Sequence, residues 1–459
     1  MEQITKPHCG ARLDRLPDCR WHSSMFAIVE FGLLVCWSNA VGGLILAQLK
    51  ALGWTDNSTT ATFSAITTAG MFLGALVGGI IGDKTGRRNA FILYEAIHIA
   101  SMVVGAFSPN MDFLIACRFV MGVGLGALLV TLFAGFTEYM PGRNRGTWSS
   151  RVSFIGNWSY PLCSLIAMGL TPLISAEWNW RVQLLIPAIL SLIATALAWR
   201  YFPESPRWLE SRGRYQEAEK VMRSIEEGVI RQTGKPLPPV VIADDGKAPQ
   251  AVPYSALLTG VLLKRVILGS CVLIAMNVVQ YTLINWLPTI FMTQGINLKD
   301  SIVLNTMSMF GAPFGIFIAM LVMDKIPRKT MGVGLLILIA VLGYIYSLQT
   351  SMLLITLIGF FLITFVYMYV CYASAVYVPE IWPTEAKLRG SGLANAVGRI
   401  SGIAAPYAVA VLLSSYGVTG VFILLGAVSI IVAIAIATIG IETKGVSVES
   451  LSIDAVANK

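Results

Sequence analysis

Twelve apolar runs dominate the chain, each bounded by glycine, proline or charge, at about 25–48, 61–82, 89–107, 111–137, 148–172, 181–202, 264–293, 302–323, 331–349, 352–378, 388–415 and 417–440. About 20 helical residues cross roughly 30 Å of hydrocarbon, so the pattern predicts an all-α membrane protein with 12 transmembrane helices. One long polar stretch, 203–263, separates the sixth run from the seventh. Within it Tyr215 to Gln232 has helical composition and Gly234 to Pro253 is rich in Pro, Gly and charge. A short surface helix followed by a flexible linker is expected. The predicted organisation is an N-terminal segment at 1–24, a bundle at 25–202, the linker at 203–263, a second bundle at 264–441 and a tail at 442–459.

Composition strengthens this picture. Of 459 residues 56% are hydrophobic and 13% charged, whereas soluble domains carry about 25% charge; a soluble enzyme is excluded. The net charge of +8 does not form a nucleic-acid patch. Of 33 Lys and Arg, only Lys50, Arg181 and Lys299 fall in one set of alternate loops, and Arg118 and Arg399 lie inside apolar runs. All the others lie in the opposite loops and the termini, which predicts a bacterial inner (plasma) membrane protein with both termini cytoplasmic. Five of the seven cysteines sit in apolar runs, so no disulfide framework is implied. The three histidines, His8, His22 and His98, lack metal-ligand spacing. No metal or cofactor is expected.

Matching loops recur about 240 residues apart. Asp83-Lys84-Thr85-Gly86-Arg87-Arg88 returns as Asp324-Lys325-Ile326-Pro327-Arg328-Lys329. Glu138, Pro141, Arg145 and Gly146 return as Glu380, Pro383, Arg389 and Gly390, and Glu204-Ser205-Pro206-Arg207 as Glu442-Thr443-Lys444-Gly445. Three matches at nearly one period imply two pseudo-symmetric six-helix bundles in parallel duplication.

These loops also carry a family resemblance. Gly79 to Arg88 resembles the signature loop of the major facilitator superfamily, and Pro203 to Leu209 resembles the sugar-porter signature after helix 6. Arg118 with Gly122, Gly124 and Gly126, the stretch Glu380 to Gly390, and Glu442 to Gly445 extend the likeness over nearly the whole chain. Within that superfamily the chain is most similar to the sugar-porter-like branch of bacterial inner-membrane metabolite transporters, which also resembles nicotinate, aromatic-acid and organic-cation carriers. The resemblance implies alternating access and a cytoplasmic gate of Asp83, Arg87, Arg88, Glu138, Arg145, Glu204, Arg207, Asp324, Arg328, Glu380, Arg389 and Glu442. Single exposed pairs contribute about 0 to 1 kcal/mol, but a network can total several kcal/mol and bias a two-state equilibrium. The alternative is that these charges only anchor topology.

Ionisable groups within hydrocarbon are functional candidates. They are Glu30, Glu95, His98, Arg118 and Arg399. Asn277, Tyr281 and Asn285 form an i, i+4, i+8 line on helix 7, next to Gln280 and Trp286, expected to face a cavity. This segment resembles the helix 7 with which sugar porters bind hydroxyl groups. Asn157 and Trp158 on helix 5, Tyr369 and Tyr372 on helix 10, Asn395 and Arg399 on helix 11, and Arg118 complete the expected substrate site. The family's helix 1 aspartate is missing, its place taken by Trp37, Ser38 or Asn39. Proton coupling is therefore assigned to Glu30, or to Glu95 and His98, or replaced by a substrate anion beside Arg118 or by uncoupled facilitation.

The expected function is secondary transport of a small polar organic metabolite, an organic anion or a sugar or polyol, by proton-coupled uptake. Its partners are the lipid bilayer, the small-molecule substrate and a proton; nucleic acid is excluded and a monomer expected. The alternatives are a facilitator, an exporter of amphipathic drugs, for which Met307, Met309 and Met320 leave room, and a non-transporting membrane sensor.

Overall fold

The computed structural model describes residues 7–17, 19–33, 36–140, 145–240, 253–323, 325–383 and 386–444. Among them nine helices are long and apolar enough to cross a membrane. The last, within Lys387–Ile439, holds the expected helices 11 and 12, because Gly417 at φ 64° turns the chain back. Helix 1 is described as Arg20–Leu33 and Cys36–Ala51, and helix 5 as Arg145–Gly156 and Ser159–Leu170, which completes the twelve. The others are Asn57–Thr85, Arg87–Ala106, Met111–Tyr139, Ala176–Tyr201, Gly260–Thr293, Leu298–Met309 continued by Gly311–Val322, Arg328–Ser347 and Met352–Val370, for helices 2 to 4 and 6 to 10.

Helices 2 and 4 run 29 residues each, roughly 43 Å at 1.5 Å per residue. They overrun the hydrocarbon and carry Asp83 and Glu138 out with them, which is why their polar ends escaped the apolar pattern. Helix 10 passes into a π-helical stretch at Cys371–Tyr377.

Packing divides the chain differently from the repeat. One compact unit holds Met1–Asn39, Gly70–Gly156 and Leu184–Gly246; the other holds Ala40–Ala69, Asn157–Gln183 and Lys247–Lys459. In the first, helices 2 and 4 meet backbone to backbone. A Cβ at Gly74 would overlap the Val123 carbonyl, one at Gly78 would stand 2.6 Å from the Ala127 Cα, and one at Gly126 would overlap Met71. Small residues permit such an approach.

In the second unit, the ends of helices 1, 2 and 5 remote from the charged loops pack into helices 7, 8 and 11. Ala61 shares a core with Trp286, Ile290, Val409 and Leu413. Asn57 Nδ2 donates to Ser414 Oγ at 2.9 Å, and Asn305 Nδ2 to Ser164 Oγ at 3.1 Å.

The N-terminal segment is more than a polar leader. Cys9–Asp14 is helical and docks on the helices Pro206–Ser211 and Tyr215–Thr233. Cys9, Leu13 and Leu16 are fully buried against Trp208, Met222 and Ile225. Glu210 accepts the His8 and Cys9 amides at 3.1 and 2.8 Å, which satisfies donors that the helix start leaves open. Arg12 pairs with Glu219 and, at 2.7 Å, with Glu226, which Arg15 also reaches at 2.6 Å. Burial alone would raise Glu226, but the two guanidinium groups outweigh it and hold its pKa below the ordinary carboxylate value.

Candidate functional site

The duplicated loops fold into two similar charge networks. In the first half the Arg87 side chain bridges Asp83 at 2.7 Å and Glu138 at 2.8 Å. Glu138 also accepts the Ser205 hydroxyl, and Glu204 accepts the backbone amides of Arg87, Arg88 and Ser205 at 2.7, 3.3 and 2.9 Å. A carboxylate on the first amides of helix 3 satisfies open donors and complements the helix dipole. In the second half Arg328 pairs with Glu380 at 3.0 Å, Thr443 Oγ1 donates to Glu380 at 2.6 Å, and Glu442 accepts the amides of Arg328, Lys329 and Lys444 at 2.8, 3.1 and 3.1 Å. The period seen in the sequence is thus a repeat of contacts for Arg87 and Arg328, Glu138 and Glu380, and Glu204 and Glu442. Each of these pairs lies within one half of the chain.

Arg88 donates to the Trp199 carbonyl, Arg207 pairs with Asp14 at 2.9 Å, and Arg389 stacks on Tyr254 at 5.2 Å. A cleft of about 400 Å³ is lined by Asp83, Arg87, Glu138, Arg207, Trp208, Ser211 and Arg212. Asp324 lies outside the described residues, as do the side chains of Glu30 and Arg145.

A line of buried polar groups crosses the first unit. Glu95 and His98 are both 0% exposed and Arg118 is 2% exposed. His98 Nε2 meets Ser38 Oγ at 2.9 Å, its Nδ1 meets Ser191 Oγ at 3.3 Å, and Glu95 Oε2 lies 4.0 Å from Nδ1. Arg118 Nη1 donates to the Ser38 carbonyl at 2.8 Å. Ser38 is one of the three residues at the place of the sugar-porter aspartate, and it offers the arginine the backbone dipole of its carbonyl. Neither Glu95 oxygen has a hydrogen-bond partner. Serines in apolar runs give no signal in sequence, and Ser191 was not anticipated.

The second unit assembles part of the expected substrate site and rearranges the rest. Gln280 and Tyr160 flank the buried Tyr367 hydroxyl, with the Tyr160 and Tyr367 rings 5.5 Å apart. Asn157 and Trp158 occupy the break in helix 5, and the Trp158 ring lies 6.4 Å from Phe310, at the break in helix 8. Arg399 Nη1 is buried without a hydrogen-bond partner.

Of the helix 7 line, Asn277 and Asn285 are buried and Tyr281 is partly exposed. Asn277 Nδ2 donates to the Leu273 carbonyl at 2.7 Å and Tyr281 packs beside Gly402, so both turn toward helix 11, while Asn285 is 6% exposed. A buried amide in an apolar helix is readily satisfied by the carbonyl one turn back. Tyr369 donates to the Val272 carbonyl at 3.1 Å and Tyr372 stacks on Tyr377 at 5.0 Å, which places both in packing rather than at a cavity wall. Asn395 is exposed and donates to the Ser391 carbonyl at 2.9 Å.

Comparison with known proteins fits this geometry. The family model described as Major Facilitator Superfamily matches residues 26–406. The chain is 44% identical to an inner membrane metabolite transport protein of Escherichia coli (strain K12), YdjE, over 98% of this chain and 99% of that protein. It is 26% identical to the niacin transporter NiaP of Acinetobacter baylyi, over 96% and 99% of the two chains. The inward open structure of the xylose transporter XylE from E. coli superposes with a TM-score of 0.75 at 16% identity, over 94% of this chain and 99% of that one, which shows the fold. The chain belongs to the Major Facilitator Superfamily and is a multi-pass inner-membrane metabolite transporter rather than an enzyme.

Proposed function

We propose, with superfamily membership as the premise, that this carrier takes up a small organic anion bearing hydroxyl groups together with a proton, by alternating access. The observation that carries the reading is Arg399. Its Nη1 is buried without a partner, and among the described ion pairs none includes it. A guanidinium cannot shed its proton, and a carboxylate entering beside it gains a charge-assisted, bidentate contact that a neutral sugar cannot make. The niacin transporter supports the same class, since niacin is an aromatic carboxylic acid. Gln280, Tyr160 and Tyr367 supply donors and acceptors for hydroxyl groups.

Coupling is assigned to Glu95. A carboxyl group in apolar surroundings takes up and releases a proton as the polarity around it changes. The groups facing it and its neighbour are His98 on the same helix, Ser38 on helix 1, Arg118 on helix 4 and Ser191 on helix 6. The charged loops lie on the cytoplasmic side and act as the gate.

Uptake into proteoliposomes tests the reading. Arg399→Gln should lose transport of the anion and keep that of its neutral amide. Glu95→Gln should lose accumulation driven by a pH gradient while retaining counterflow. Asp83→Asn should lose transport with substrate binding intact. A neutral native substrate, with Arg399→Gln fully active, would overturn the assignment in favour of a sugar or polyol, a reading that rests on the Gln280, Tyr160 and Tyr367 cluster.

A further inference from the structure

Helix 7 starts at Gly260, and Arg265 in its second turn is 3% exposed. Its Nε and Nη1 are buried with no hydrogen-bond partner. An arginine cannot neutralise itself, and an uncompensated buried cation is costly, so an acceptor is called for.

The packing around this turn contains further donors of the same kind. One turn on, a Cβ at Gly269 would stand 3.3 Å from Ala394, 3.4 Å from Ile381 and 3.7 Å from Trp382. Helix 7 therefore meets the corner between helices 10 and 11. In that corner Trp382 Nε1 and Ser391 Oγ are also buried without partners. Guanidinium and indole N–H groups donate and accept nothing. Among the described residues Arg265 Nε and Nη1, Trp382 Nε1 and Ser391 Oγ thus gather here as buried donors without acceptors, a set complementary to an oxyanion.

Two observations narrow the anion. Lys264 is exposed next to Arg265, and Arg389 stacks on exposed Tyr254. Apolar side chains surround these charges: Leu258 is 58%, Val261 40% and Ile267 46% exposed. A soluble anion has no use for that apolar flank, whereas acyl chains cover it. Basic pockets between membrane helices on the cytoplasmic side hold anionic headgroups.

We propose that the start of helix 7 and the corner between helices 10 and 11 bind the phosphate of an anionic phospholipid, with Arg265 as the buried anchor and Lys264 and Arg389 as outer charges. Among the described residues the matching turn of the first half carries no such cation. The matching position is Ser24, whose hydroxyl donates to the Arg20 carbonyl at 3.0 Å. The lipid site therefore belongs to the second half.

The test uses the full chain in nanodiscs and in detergent. Native mass spectrometry counts retained lipid, and thermal shift is read with phosphatidylglycerol, phosphatidylcholine and inorganic phosphate. The wild type is expected to retain phosphatidylglycerol and to be stabilised by it more than by the other two. Arg265→Gln should weaken that binding by about tenfold or more, Arg265→Lys should restore part of it, and Arg389→Ala should weaken it by about fivefold. Equal stabilisation by inorganic phosphate would overturn the lipid assignment in favour of a soluble anion. Unchanged phosphatidylglycerol affinity in Arg265→Gln, with transport lost, would make Arg265 part of the gate. If Arg265→Gln does not fold, unchanged affinity in both Lys264→Ala and Arg389→Ala overturns the proposal.

Discussion

In the first half Glu204 enters beneath Gly86, whose φ of 96° and missing side chain leave room for the carboxylate; a Cβ there would overlap it. In the second half Pro327 stands at the matching position with φ −56°, and Glu442 accepts the two matching helix amides together with that of Lys444. The consequence is electrostatic. Burial lifts the pKa of Glu204 above the ordinary value in spite of its amide bonds, whereas at Glu442 the amides outweigh burial and lower it. Two copies of one motif have thus kept their hydrogen bonds and parted in their surroundings.

The arginines differ in the opposite sense. The Arg328 side chain is 7% exposed against 17% for Arg87. Glu380→Ala should therefore be the most damaging change, about 3–5 kcal/mol because it takes a carboxylate from the more deeply buried of the two cations. Glu138→Ala should cost about 1–3 kcal/mol. Thermal unfolding of the two variants measures the difference, and equal losses would break the comparison.

Gly86→Ala comes next, at about 1–3 kcal/mol from the strained φ and the displaced carboxylate. Pro327→Ala should lie within about 0.5–1 kcal/mol of the wild type, since alanine accepts that backbone and loses only chain stiffness. Arg12→Ala should cost about 1–2 kcal/mol, with faster amide exchange confined to Tyr215–Thr233 and no change in the second-half loops. Exchange that spreads to Arg328 and Lys329 would show that the docked N-terminal helix supports both networks.

The smallest effect is that of pH. Glu204 has a raised folded pKa, so its ionisation weakens the folded state as pH rises from 4.5 through that value. Glu442 has a lowered one, so its stabilisation is present above 4.5 and is lost as pH falls through its folded value. In an infrared or NMR titration Glu204 should take its proton above pH 4.5 and Glu442 below it. The reverse order would show that the Gly86 cradle does not set the difference.

The sequence conveys the twelve helices because membrane length and apolarity are one-dimensional properties. It conveys the twin networks because Asp, Arg and Glu recur with little else in common. Contact partners are another matter. Spacing placed Asn277 and Tyr281 on one face of helix 7, but could not say that helix 11 covers that face. Glu95 and His98 stood out as charge within hydrocarbon, while Ser38 and Ser191, which hold the imidazole, look like ordinary small residues. Cys9, Leu13 and Leu16 do form a short helical line, yet six helical residues are too few for periodicity to reveal the docking surface.

The seam between helices 2 and 4 also shapes how the gene can drift. Every single-base change at a glycine codon that alters the residue adds at least a Cβ, and at Gly74 and Gly126 even that atom overlaps the backbone of the facing helix. At Gly79 and Gly169 the same atom meets nothing within 4 Å. A saturation library selected for expression should therefore be almost empty of variants at the first pair and well populated at the second.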